Sequence, residues 1–165
     1  MKELYLIRHA KSSWDHSEDM EDINRPLALR GLRDARNMSD RLDRLGVRFD
    51  KFFSSSGIRA LHTALIFARR LDLDSRNIEI NDKLYLPSRH EIVDVVRGAD
   101  NQLNCIAVFS HDPGISDFAF HTEARIEHIV TTGILHFKLD TESWKEVGFG
   151  NLEFQSYDFP KNTSD

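Results

Sequence analysis

Two kinds of stretch alternate along this chain: short runs of strand-forming apolar residues that stop abruptly at polar ones, and longer segments with apolar residues every three or four positions. The first run, Leu4-Tyr5-Leu6-Ile7, closes on Arg8-His9 and is followed by Ala10, Lys11 and Ser12. A near-continuous apolar run marks a strand buried on both faces, as in a parallel sheet covered by helices. Cys105-Ile106-Ala107-Val108-Phe109 repeats the layout and closes on Ser110-His111, then Asp112-Pro113-Gly114. Between the two, Phe52-Phe53-Ser54-Ser55-Ser56-Gly57-Ile58-Arg59 reads as a strand, a turn and a helix start. Two histidines are therefore expected at the ends of two parallel strands, with Arg59 beside them. Open α/β sheets bind ligands at that carboxyl edge.

The helical segments follow the same logic. Leu32, Ala35, Met38, Leu42 and Leu45 form one stripe over residues 28–45, with Arg30, Arg33, Asp34, Arg36, Asp40 and Arg41 on the other face and Gly46 as the stop. A second helix is predicted over 58–71. Ser88 and Glu91 have capping-box spacing and should start a third, running through Val96 to a stop at Gly98. Asp112-Pro113 reads as an N-cap followed by proline at the first helical position. Further strands are expected near 49–54 and 78–80, and closing strands at 134–139, 145–149 and 152–155, with a hairpin among them. Residues 10–26 read as an acid-rich loop and 161–165 as a frayed tail. The alternation predicts an α/β fold, a three-layer α/β/α sandwich on a mostly parallel central sheet, in a single domain spanning 1–165.

Composition narrows the function classes. The chain has 165 residues, 40% hydrophobic and 30% charged, with a formal charge of −5. No Lys/Arg stripe appears that could neutralise a nucleic-acid backbone, so no nucleic-acid partner is expected. No apolar run approaches the roughly 18 residues of a spanning helix and no leader pattern opens the chain, so a cytoplasmic, membrane-free location is expected. Cys105, the lone cysteine, lies inside an apolar strand and reads as core. No metal-ligand spacing is present and no cofactor is expected. His16, His62, His90, His121, His128 and His136 lack partner motifs and read as structural.

A strand edge carrying two arginines and two histidines suits a phosphoryl group, whose transfer spreads negative charge over its equatorial oxygens and calls for fixed cations. Arg8 and Arg59 supply planar forked donors. One histidine would attack phosphorus as a neutral imidazole and the other would donate to the phosphoryl oxygens. Spacing alone leaves open which is which. Nearby arginines would favour the neutral ring.

The motifs resemble those of the histidine phosphatase superfamily, the phosphoglycerate mutase-like group. Leu6-Ile7-Arg8-His9-Ala10 is similar to its RHG signature, with Ala10 in place of glycine. Ser55-Ser56-Gly57-Ile58-Arg59-Ala60-Leu61-His62-Thr63-Ala64 resembles its S-x-x-x-R-A-x-x-T-A turn. Ser110-His111-Asp112-Pro113-Gly114-Ile115-Ser116 resembles G-H-N-P-G-x-S, with Ser110 and Asp112 replacing Gly and Asn. Lys11-Ser12-Ser13-Trp14 and Asn24-Arg25-Pro26-Leu27-Ala28-Leu29-Arg30-Gly31 resemble the SixA type, small phosphohistidine phosphatases. The resemblance implies His9 as nucleophile, Arg8 and Arg59 as phosphate clamps and His111 as the second histidine, with Ser12 and Arg25 as further substrate contacts.

Many members carry a glutamate acid beyond the second arginine, and Leu84-Tyr85-Leu86 offers none. Asp22 stands where SixA-like proteins offer an acid, and Asp15 is the rival. An imidazole leaving group, with a pKa of about 6.5, needs less acid than an alkoxide. The short connection after the helix that follows His111 leaves little chain for a lid, so an open, shallow pocket is expected. The expected substrate is therefore phosphohistidine in a protein. A small phosphate ester, or binding of a phosphoprotein without catalysis, are the alternatives. The oligomeric state is left open.

Overall fold

The computed structural model describes residues 1–15 and 18–163. His16 and the last two residues of the tail lie outside the described residues. In chain order the elements are β1 (Lys2–Arg8), α1 (Leu29–Arg44), β2 (Lys51–Ser54), α2 (Ile58–Arg70), β3 (Ile78–Ile80), α3 (Arg89–Arg97), β4 (Cys105–Ser110), α4 (Gly114–Phe120), β5 (Ile134–Leu139) and β6 (Glu153–Asp158). They form one six-stranded sheet in the order β3-β2-β4-β1-β5-β6. β3, β2, β4 and β1 run parallel, and β5 and β6 are added antiparallel.

The alternation of side chains along a strand divides the core. Leu4 and Leu6 of β1 join Ile106 and Val108 of β4 beneath α3 and α4, through Ile92, Val96, Ile115 and Phe118. Tyr5 and Ile7 join Ala107 and Phe109 beneath α1 and α2, through Ala35, Met38, Ala64 and Phe67. The sheet is thus covered on both faces, which is why the middles of its central strands, Leu4–Ile7 and Cys105–Phe109, are apolar at successive positions. β1 and β4 lie in register from Glu3 opposite Cys105 to Arg8 opposite Ser110. The next pair along is His9 and His111.

The local signals act as chemistry requires. Ser88 and Glu91 close both hydrogen bonds of the capping box at α3. Gly46, at φ +75°, ends α1 in the left-handed conformation that a side chain would oppose.

Two boundaries differ from expectation. α4 begins at Gly114, after a cis Asp112–Pro113 peptide, so Pro113 precedes the helix. Asp112 still caps it, accepting from the Ser116 backbone N–H at 3.0 Å. The strand expected at 145–149 is absent: Trp144–Glu146 is a 3-10 turn. Trp144 is fully buried, donating its indole N–H to the Leu103 carbonyl, and Val147 is buried beside it. Their spacing reflects two anchors tucked under the sheet. Strand structure resumes only at β6.

Candidate active site

The site is assembled from four chain segments at the carboxyl edge of β4, β1 and β2. His9 directly follows β1 and its N–H donates to the Ser110 carbonyl, while His111 directly follows β4. The two imidazoles face each other with ring centroids 5.1 Å apart. β2 ends at Ser54, and Ser55-Ser56-Gly57 turn the chain into α2, whose first turn carries Arg59. The Arg59 Nε–H donates to Nε2 of His9 at 3.3 Å. Arg8 leaves the opposite face of the strand, donates Nη1 to the Ile129 carbonyl at 2.8 Å and lies 3.6 Å from Asp112.

The hydrogen bonds of His9 define its tautomer. Nδ1 lies 2.7 Å from the Ala10 carbonyl, which can only accept, so Nδ1 carries the proton. Burial, followed by the charges of Arg59, Arg8 and Arg25, overrides that bond and lowers the pKa from 6.5 to about 3. The ring is therefore neutral at physiological pH, with a lone pair on Nε2. His111 is likewise lowered to about 3, first by burial and then by His9 and Arg59. Sequence reasoning assigned this effect to the arginines; burial, a property of the whole fold, is the larger cause.

Asp22 lies on a 3-10 turn, Asp22–Asn24, in the loop after β1. Its carboxylate accepts from Tyr85 Oη at 2.5 Å, Arg59 Nη2 at 3.0 Å and Arg25 Nε at 3.0 Å. Its backbone carbonyl accepts from Arg59 Nη1. The Tyr85 hydrogen bond, then those from Arg25 and Arg59, hold its pKa down at about 2 against partial burial. Asp15, its rival, is exposed and forms no ion pair among the described residues.

Ser12 and Arg25, expected to touch substrate, touch each other: Arg25 Nη1 donates to Ser12 Oγ at 2.8 Å. The Arg25 guanidinium also stacks on Trp14, 3.7 Å from the ring centre, so in this structure it secures the loop.

The expectation of an open, shallow pocket is not met. His9 is 6% exposed, Arg59 3% and His111 1%, because the Asp22 turn lies across Arg59 and Tyr85 packs its ring edge-on against His111. The Asp22 turn and Tyr85 together do the covering for which a long insertion seemed necessary.

Tyr85 and Ser55 went unassigned by sequence reasoning. Ser55 Oγ lies 2.7 Å from Nε2 of His111 and accepts the Gly57 N–H. Ser55 falls inside the motif around Arg59, a usable signal, whereas Tyr85 follows a short strand and a 3-10 turn and carries no local mark. No group of three or more His, Cys, Asp or Glu is arranged to hold a metal among the described residues, and none of their helices is long and apolar enough to cross a membrane.

Comparison with known proteins sets this geometry in context. Residues 4–85 match the histidine phosphatase superfamily (branch 1). A 2,3-bisphosphoglycerate-dependent phosphoglycerate mutase of Nautilia profundicola is 35% identical over 74 residues, 44% of this chain and 32% of the mutase. The chain thus spans about a third of the length of the curated relatives it matches.

The protein histidine phosphatase SixA, solved with tungstate, superposes with a TM-score of 0.80 at 22% identity, covering 96% of this chain and 97% of the other. A SixA-type protein from Nakamurella multipartitia gives 0.83 at 18% identity, over 98% and 97%. At these identities the likeness is one of fold, the phosphoglycerate mutase-like α/β sandwich. With that fold and the family match across β1, α1, β2 and α2, this chain belongs to the histidine phosphatase superfamily.

Proposed function

We propose that this chain is a phosphatase that passes a phosphoryl group through His9, with phosphohistidine in a protein as its substrate. The observation that carries the reading is the neutral His9, its proton held on Nδ1 and donated to the Ala10 carbonyl, and its Nε2 lone pair facing the Arg59 guanidinium. In the first half-reaction Nε2 attacks phosphorus, and the bond to the leaving atom breaks with its electron pair departing on that atom. Arg8, Arg59 and His111 hold the phosphoryl oxygens. In the second, water attacks phosphorus, the P–Nε2 pair returns to His9, and the water proton passes to Asp22.

Asp22 is ionised at neutral pH, so the resting pocket offers no strong acid. That favours a leaving group which departs as a neutral molecule without a proton from the pocket, as an imidazole does when its other ring nitrogen already carries one. A phosphoryl dianion on Arg59 would compete with Asp22 for that cation and raise its proton affinity, allowing it to carry protons in both directions. The small-ester reading draws support from the phosphoglycerate mutase relatives and from the covered pocket.

The test is a brief pulse of labelled substrate followed by trapping. An acid-labile, base-stable label on His9, lost in His9→Ala, is expected, with faster turnover of a phosphohistidine protein than of sugar phosphates. Preference for the sugar phosphates would favour the ester reading. Tight binding without label would make the chain a non-catalytic reader.

A further inference from the structure

Among the described residues, four buried side-chain atoms have no hydrogen-bond partner within the protein: Arg8 Nε, His111 Nδ1, Thr132 Oγ1 and Arg89 Nε. Buried polar atoms are nearly always paired, so such atoms call for a cause. Arg89 lies apart on α3. The other three sit on adjacent strand ends: His111 just beyond β4, Arg8 at the end of β1 and Thr132 just before β5. Arg8 and His111 are already placed in the phosphoryl site. Thr132 is not.

Thr132 is fully buried, and its backbone N–H is shared between the carbonyls of Arg8 and His9, 3.1 Å from each. Its φ of +61° is left-handed, which a β-branched residue adopts only at a cost, and such strain gathers at functional sites. The unpartnered hydroxyl is the observation that points to a ligand. A protonated Nδ1 of His111, the Arg8 Nε–H and the Thr132 hydroxyl can all donate. Phosphoryl oxygens only accept. The His111 tautomer is consistent with this: Ser55, accepting from Gly57, can give its own proton to Nε2 and leave Nδ1 protonated.

We propose that Thr132 is a further phosphoryl-binding residue, its hydroxyl donating to the same anion held by Arg8 and His111. The inference rests on the proposed phosphatase reading and adds a neutral donor to it. Neutral donors matter because they stabilise the anion without lowering the proton affinity of neighbours as a third arginine would.

The probe is inorganic phosphate, measured as a competitive inhibitor of aryl phosphate turnover. Thr132→Val keeps shape and β-branching and removes the hydroxyl. Thr132→Gly removes it while relieving the left-handed backbone, so it should melt no lower than the parent. Thr132→Ser retains it. Loss of a hydrogen bond to a charged group should raise the phosphate inhibition constant about tenfold or more in the Val and Gly variants, with Ser near the parent value. A constant within twofold of the parent in either folded variant would overturn the assignment. If the parent itself neither binds phosphate nor turns over the ester, the phosphatase reading fails instead.

Discussion

Replacing Asp22 by Asn preserves shape and removes one charge from a carboxylate held by Tyr85, Arg59 and Arg25. In the proposed reaction Arg59 binds the phosphoryl group, so in the resting site Asp22 competes with substrate for it. The ion pair is short, 3.0 Å, but the carboxylate is 46% exposed and water screens it heavily. The contact is therefore worth about 1 kcal/mol, the upper range for a surface pair, and its removal should tighten inorganic phosphate binding roughly fivefold. Catalysis should move the other way and selectively. Alkyl phosphates, whose leaving oxygen requires a proton, should slow by roughly a hundredfold or more, the usual size of a lost acid–base group. Label transfer to His9 from an aryl phosphate with a good leaving group should persist, and the label should accumulate because water has lost its proton acceptor. The assay is phosphate inhibition together with a leaving-group series and a trapping time course. Weaker phosphate binding in Asp22→Asn, or an equal loss on alkyl and aryl esters, would refute the reasoning.

Other outcomes follow from single distances and shifts. A Cβ on Gly57 would lie 3.0 Å from Cε1 and 3.1 Å from Nε2 of His111, so Gly57→Ala should depress turnover and phosphate affinity while leaving the melting temperature nearly unchanged. His9 and His111 bind fewer protons folded than unfolded between pH 6.5 and about 3. Stability should therefore fall as pH drops through that window, by up to about 1.4 kcal/mol per pH unit for each histidine, which denaturant midpoints at pH 7, 6 and 5 would measure. For the same reason the rate at saturating substrate should show no acid limb near pH 6.5 from loss of the neutral nucleophile. Phe109 is fully buried with ring centroids 4.8 Å from Phe52 and 5.3 Å from Phe67. Phe109→Ala should cost about 3–5 kcal/mol in chemical denaturation.

Sequence reasoning succeeded where the physics is local. β1 and β4 announce themselves because a strand covered on both faces must be apolar through its middle, and the capping box at α3 is spelled by two residues of the same turn. It failed over 145–149, where Val147 and Phe149 alternate as in a strand but Trp144 and Val147 anchor a turn beneath the sheet. Local pattern cannot say whether a buried side chain is held by a ladder or by an isolated contact. The pocket was likewise expected to be open because lids were sought in long insertions, whereas three hydrogen bonds draw the Asp22 turn over Arg59.

By itself the sequence determined the alternating strands and helices, and with them the delivery of His9, Arg59 and His111 to one sheet edge, since apolar runs closed by polar turn residues mark where each strand ends. Only the tertiary structure decided that both imidazoles are neutral, that Asp22 rather than Asp15 meets the arginines, that Tyr85 and Ser55 join them, and that the Thr132 N–H meets the Arg8 and His9 carbonyls. Those outcomes depend on burial and on contacts between segments remote along the chain, energies that exist only once the strands lie side by side.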